Sequence, residues 1–404
     1  MLLGLVCWLS ATVGAWAEVR TPQVAGQFYP AEPAELRRVV TQLLEQQPPV
    51  QASPGKPRAI IVPHAGYPYS GIVAASAFRQ LKGQTYDGVV VVGFTHRSQF
   101  AGVSVDTAEA YETPLGRLPI DQDAVKFLQT FAGIGHVEEA HQSGEHSLEV
   151  ELPFVQAALG EVRLVPLLMG SVTLDDAQRL AEALAALARR GDYLFIFSTD
   201  LSHYHSYDEA HAIDERTVNA MLFETPQAVD RLFGGGVLEA CGRGPILTSL
   251  LLSAQLGYLE PRLLRYANSG DTTGDRSRVV GYAAIGMYER PAASTGRLSH
   301  EAGIALVHAA REVLERGLTI TPAEQAALVK EVAERLRGYP ELSAAHGAFV
   351  TLRKRGQLRG CIGRIQTPES LAQTIPHVAL DAALHDTRFH PVRPEELKEL
   401  SVEV

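Results

Sequence analysis

Three apolar runs in this chain end on histidine. Ala59-Ile60-Ile61-Val62 leads into Pro63-His64, Val89-Val90-Val91-Val92-Gly93 into Phe94-Thr95-His96, and Leu194-Phe195-Ile196-Phe197 into Ser198-Thr199-Asp200-Leu201-Ser202-His203. Two further segments carry reactive side chains: Glu145-His146-Ser147-Leu148-Glu149, and Cys241-Gly242-Arg243-Gly244-Pro245. Two imidazoles and a carboxylate leave coordination positions open, the arrangement used by non-haem Fe(II) oxygen chemistry. A thiolate with two imidazoles suits iron, copper or zinc. Cys241 stands at a helix start beside Arg243, a setting expected to lower its thiol pKa. Each residue also has a structural reading. A single strand-end histidine is more often a satisfied polar residue, and Cys241 could be a small buried hydrophobe. Asp200 could cap a helix near Leu201, and His146 with Glu149 could be a helix cap and a first-turn acid. Three such strand ends on one rim favour a site. His136, His205 and His211 have no supporting pattern and are expected at the surface.

The elements that must position these residues alternate between strand and helix. Continuous β-branched and aromatic runs mark strands covered on both faces, as in a parallel sheet. Strands are predicted at 58–63, 88–94, 102–106, 163–169, 194–199, 262–267 and 279–287. Helices are predicted at 33–46, 71–82, 121–131, 147–159, 174–190, 209–222, 226–233 and 245–256. The fold class is α/β, a layered and mostly parallel sheet with helices on both faces. Ligands of such sheets sit beyond the carboxyl ends of the strands, so His64, His96, Asp200 and His203 are expected on one rim. Glycines 66, 71, 242 and 244 are expected to let the backbone approach it closely. Residues 290–297 read as a linker between a first domain, 18–289, and a smaller α+β domain, 298–404. In the latter, Thr321-Pro322-Ala323-Glu324 is a capping box, and a hairpin turns around Arg355-Gly356-Gln357.

Composition narrows the function. A length of 404 residues accommodates two or three domains, and 46% hydrophobic with 20% charged residues is ordinary for a globular protein. A net charge of −10 argues against a nucleic-acid or membrane-surface role. The local cluster Arg353, Lys354, Arg355 and Arg359 reads as a solvated hairpin. The 3 cysteines are too few for a disulfide framework. Residues 1–17 read as a signal peptide, apolar from Leu2 to Trp16 with Ala15-Trp16-Ala17 as the cleavage site. That implies an exported, periplasmic protein; a mis-assigned start would leave it cytoplasmic. No later run is fit to span a bilayer.

Several motifs together resemble the Memo family, protein B of the AmmeMemoRadiSam system. They are Val24-Ala25-Gly26-Gln27-Phe28-Tyr29-Pro30, the Pro-His-Ala-Gly-Tyr-x-Tyr-x-Gly segment at 63–71, and the motifs at 145–149, 198–203 and 241–245. The resemblance implies a fold similar to the class III (LigB-type) extradiol dioxygenases. By motif, the metal ligands would be His64, His96 and Cys241, with Asp200 and His203 lining the pocket; His146, read from its own segment, is a further candidate catalytic group beside Asp200 and His203. The family segment Gly-Pro-Ser/Thr-His-His reads here Gly93-Phe94-Thr95-His96-Arg97, so its second histidine is missing. Leu358-Arg359-Gly360-Cys361-Ile362-Gly363 and Asp386-Thr387-Arg388-Phe389-His390-Pro391-Val392 resemble the Ammecr domain, protein A of the same system. That domain is expected to continue past Val404, making this copy incomplete.

The leading expectation is a redox enzyme using Fe2+ first, copper second and zinc last, with O₂ and an unidentified small-molecule substrate. The family implies a radical-SAM system partner. The rivals are a non-catalytic metal- or peptide-binding protein, and a hydrolase with Cys241 as nucleophile and His64 or His203 as base.

Overall fold

The computed structural model describes residues 18–47, 55–142, 144–256, 259–289, 298, 300–343, 347–365, 367 and 369–404. The expected signal peptide and linker lie outside them. The chain divides into two compact units, Met1–Arg290 and Pro291–Val404.

Four parallel strands form the heart of the first unit, in the order Pro57–Val62, Tyr193–Ser198, Gly88–Phe94 and Arg163–Met169. Every residue of Pro57–Val62 and Tyr193–Ser198 is buried, as their unbroken apolar runs require. Antiparallel strands flank this core. Val279–Glu289 and Leu259–Asn268 extend one side, and Val103–Val105 the other. Helix Arg243–Leu256 is apolar around its whole circumference and buried from Gly244 to Leu252; Leu174–Ala188 packs over it. Leu174–Ala188 begins at a Thr173 cap, closed reciprocally by Asp176. Helix Tyr67–Phe78 starts four residues before its predicted position, because Pro68 supplies a preset first-turn φ.

Register brings the strand ends level: Val62 lies opposite Ser198, and Val92 opposite Phe197. Beyond Ser198 the chain crosses the end of Pro57–Val62. The Thr199 N–H donates to the Val62 carbonyl at 2.8 Å and the Leu201 N–H to that of Gly281 at 2.8 Å. The segment continues as a short strand, His203–His205, against Val279–Glu289. Asp200 therefore caps no helix; the next helix, Tyr207–Phe223, is capped by Ser206 with Glu209.

In the second unit, helices His300–Gly317, Pro322–Leu336 and Leu371–Leu384 pack with a three-stranded antiparallel sheet. Its hairpin turns at Arg355 and Gly356, both with positive φ. The basic cluster is neutralised: Arg353 pairs with Glu403, Lys354 and Arg359 with Glu396, and Arg355 with Glu399.

Candidate metal centre

His64 leaves the sheet directly after Pro57–Val62 and is buried. Its backbone N–H donates to Asp200 Oδ1 at 2.9 Å, and its Nδ1 lies 2.8 Å from Ser198 Oγ. The remaining nitrogen, Nε2, lies 3.3 Å from Cys241 Sγ. Cys241 comes from the start of the apolar helix Arg243–Leu256. It is seated by its own N–H to the Asp200 carbonyl and by the Gly242 N–H to Thr199 Oγ1 at 2.9 Å. A Cβ on Gly242 would stand 2.5 Å from Thr199 Cβ, so this approach requires glycine. The Asp200 N–H points at Cys241 Sγ from 3.2 Å. Asp200 thus touches two candidate ligands at once, one with its carboxylate and one with its amide.

His96 is held by Glu145, whose Oε1 lies 3.0 Å from its Nδ1 and whose Oε2 accepts its backbone N–H. Glu145 Oε1 also accepts the N–H groups of His146 and Ser147 at 2.9 and 2.8 Å. Both oxygens are committed, so Glu145 works as an anchor. Ser147 in turn donates to the Phe94 carbonyl at 2.9 Å, docking this loop on the end of Gly88–Phe94. The His146 ring lies 4.5 Å from that of His96 and 5.2 Å from that of His64, and its buried Nδ1 has no hydrogen-bond partner. Phe28 covers it at 4.6 Å.

One ligand atom each from His64, His96 and Cys241 lies within 4.8 Å of the others. His96, Glu145 and His146 meet the same criterion. His64 is buried, Cys241 half-buried and His96 exposed, so the cluster opens to solvent on the His96 side. Burial holds His64 well below its ordinary value, reinforced by His146 and His96, and holds His146 down at about 4. Both are neutral imidazoles at pH 7, the form that donates a lone pair. Burial likewise pushes Asp200 up to about 7.

Cys241 corrects the sequence expectation. Its thiol is pushed up to about 12, by burial first and then by the Asp200 charge. Arg243, expected to lower it, pairs with Asp230 instead. Metal coordination deprotonates a thiol outright, so the neutral thiol is no bar to ligation. Gly71 is a second correction, since it faces Leu43 and Tyr67 in helix packing. His203 is half-buried beside the cluster, with Nδ1 on the Leu201 carbonyl at 2.8 Å. His136 and His205 are half-buried and paired with Glu138 and Glu239. Sequence reasoning missed the anchoring role of Glu145, although its motif was visible. It also missed Phe28 and Ser198 as neighbours of the histidines.

The donor set fits a metal. The imidazoles of His64 and His96 each spend Nδ1 on an oxygen anchor, leaving Nε2, and a thiol faces them; anchored histidines of this kind are usual around bound metals.

Fold and cluster together define an α/β protein with a candidate metal-binding site at the carboxyl rim of its sheet. Residues 20–286 match the family model described as Memo-like protein, and the chain belongs to that family. Residues 307–404 match the AMMECR1 model. A MEMO1 family protein from Methanothermobacter thermautotrophicus is 37% identical over 280 residues, 66% of this chain and 99% of that one. Another, from Methanopyrus kandleri, is 35% identical over 276 residues, 66% of this chain and 98% of its own. An uncharacterized protein of known structure from Pyrococcus horikoshii is 31% identical over 26% of this chain and 50% of its own, with a TM-score of 0.21. No helix among the described residues is long and apolar enough to cross a membrane.

Proposed function

We propose that the first unit is a metal-dependent redox enzyme whose single metal, iron before copper and zinc, is held by His64, His96 and Cys241. The observation that carries this is the convergence of three donor atoms within 4.8 Å, with the Nδ1 of each imidazole already anchored. Three protein ligands leave positions open for a small-molecule substrate and O₂. The metal would supply the site through which electrons pass between them. Asp200 is a positioning residue, because it ties the His64 backbone to the Cys241 sulfur. His203 keeps Nε2 free while Nδ1 is bonded, and so can hold a proton against substrate. His146 offers an unpartnered nitrogen beside both ligand histidines.

A second reading rests on the 3.3 Å contact between Cys241 Sγ and His64 Nε2, the reach of a nucleophile–base pair. It is weaker because burial keeps both groups neutral, whereas a nucleophilic cysteine needs its thiolate. Metal analysis separates the two. Anaerobically purified protein is expected to carry about one equivalent of iron or copper, lost from the His64→Ala/His96→Ala variant. No metal in either, even after Fe(II) or Cu(I) reconstitution, overturns the redox reading and leaves Cys241 as a nucleophile. O₂ consumption by the loaded protein then distinguishes an enzyme from a protein that only binds metal.

A further inference from the structure

Behind His64 lies a buried carboxyl group to which the proposed function gives no task. Glu151 has no exposed surface and sits between Val150 and Leu152 at the start of a helical segment. Its Oε2 has no hydrogen-bond partner, and its Oε1 accepts from Ser198 Oγ at 2.9 Å. A buried polar group with so little compensation is costly, and a leucine or phenylalanine there would cost nothing of the kind. What Glu151 does touch is telling. Ser198 Oγ lies 2.8 Å from His64 Nδ1, so the three groups form one line from the core to the rim.

We propose that Glu151, acting through Ser198, is the positioning residue that fixes His64 as its Nδ1–H tautomer and so keeps Nε2 free for the metal. A serine hydroxyl has a single proton. In the structure Ser198 Oγ donates to Glu151 Oε1, so the one Ser198 proton points to Glu151. The Ser198 oxygen is then left to accept, and Nδ1 must donate. Nε2 keeps its lone pair on the side of Cys241. Without Glu151 the hydroxyl is free to turn and donate to Nδ1. That would put the ring proton on Nε2 and block the ligand position. His96 is served by the same logic with one link fewer, since Glu145 reaches its Nδ1 directly at 3.0 Å. The contrast has a geometric origin. His64 is buried beneath the crossing segment at Thr199 and Leu201; Asp200 there is spent on its backbone N–H, and Glu151 reaches its ring Nδ1 only across a serine.

This inference rests on the metal reading for its consequence, but the tautomer can be read without metal. The test takes the full chain and four variants: Glu151→Leu, Glu151→Gln, Ser198→Ala and the Glu151→Leu/Ser198→Ala pair. Long-range ¹⁵N–¹H spectra of metal-free protein should show His64 as the Nδ1–H form in wild type and in Glu151→Gln, whose amide oxygen still accepts. Glu151→Leu and Ser198→Ala should show the Nε2–H form or a mixture. Co(II) titration, followed by thiolate-to-metal charge-transfer absorbance, should weaken about 10–100-fold in those two variants. The double variant should be no weaker than the worse single one, because both break the same line. Glu151→Gln should stay within a few fold of wild type, a rescue that mere filling of space does not predict. An unchanged tautomer in Glu151→Leu overturns the proposal whatever the metal does. A changed tautomer with no Co(II) bound even by wild type supports the relay and removes the metal reading. Equal Co(II) affinity in every variant removes the link between the two.

Discussion

The first unit holds two histidine clusters, and they differ in how completely they are hydrogen-bonded. Around His141 the network is finished. Its Nε2 meets Ser104 Oγ at 2.9 Å and its Nδ1 the Tyr111 hydroxyl at 3.1 Å. Tyr111 donates to Asp106 at 2.9 Å, and Asp106 takes the Arg20 guanidinium at 2.8 Å. Neighbouring His136 has the Val105 carbonyl on one nitrogen and Glu138 on the other. At the rim, His96 is anchored through Nδ1 alone, His64 meets only the Cys241 thiol with its Nε2, and His146 Nδ1 has no hydrogen-bond partner. Folded proteins pair nearly all their buried polar groups. Histidine count therefore does not mark the candidate site, because both regions are rich in it. Ring nitrogens left over after folding mark it.

The sharpest way to break this comparison is to damage each cluster and exchange the expected outcomes. Asp106→Ala should lower unfolding stability in urea by about 3 kcal/mol, since it leaves the Arg20 guanidinium buried beside an empty site. The low end of the range applies because Glu18 and Glu138 still hold Arg20 Nη1. Metal content should not change. His96→Ala should do the reverse, abolishing stoichiometric metal while moving stability by less than about 1 kcal/mol, as befits an exposed side chain. A metal-free Asp106→Ala protein, or a His96→Ala protein that unfolds as readily, would mean the two clusters are one cooperative structure.

Acid should also separate them. Burial holds His141 down at about 4 against an ordinary 6.5. As pH falls through 6.5 the unfolded chain takes up a proton that the folded chain refuses until about 4. Stability therefore drops across that window and levels off beneath it. The difference of 6.5 − 4 = 2.5 units caps the effect at about 3 kcal/mol. His64 and His146 act with the same sign in metal-free protein. Asp106, held below its ordinary 3.8, adds its loss only at lower pH. Urea titrations from pH 7 to 4 should show a shallower decline in His141→Gln than in wild type. An identical decline would place the acid sensitivity entirely at the rim.

Much of this was legible in the sequence, for identifiable reasons. Short β-branched apolar runs such as Val89 to Val92 point to strands covered on both faces, and a parallel sheet of such strands gathers the residues after them at one rim. Hence His64, His96 and Asp200 could be placed together before any coordinates. Cys241 was already a candidate thiolate from its place at a helix start, and motif resemblance grouped it with His64 and His96 as a ligand. The environment of that cysteine was misjudged because helix starts and nearby arginines are local signals, whereas desolvation depends on the whole fold; Arg243 turned to Asp230, which lies 13 residues back. The short strand His203–His205 could not be foreseen either, because its partner is Val279–Glu289, far along the chain. Glu151 left one faint trace, a second charge two residues after Glu149 in the otherwise apolar stretch from Leu148 to Phe154.

The smallest effect tests the comparison most directly, because it makes the finished cluster resemble the unfinished one. Tyr111→Phe removes a hydroxyl that serves Asp106 and His141 together while leaving the buried ring in place. His141 Nδ1 then lacks a partner, as His146 Nδ1 does now. The expected loss is about 1 kcal/mol in urea unfolding, the usual net worth of one buried hydrogen bond. Co(II) titration of a Tyr111→Phe/His96→Ala protein should detect no new site. One freed nitrogen near an engaged Asp106 is no ligand set, whereas at the rim two imidazoles and a thiol converge. If Co(II) did bind there, an unpaired nitrogen alone would suffice to recruit metal, and convergence would lose its place in the reasoning about the rim.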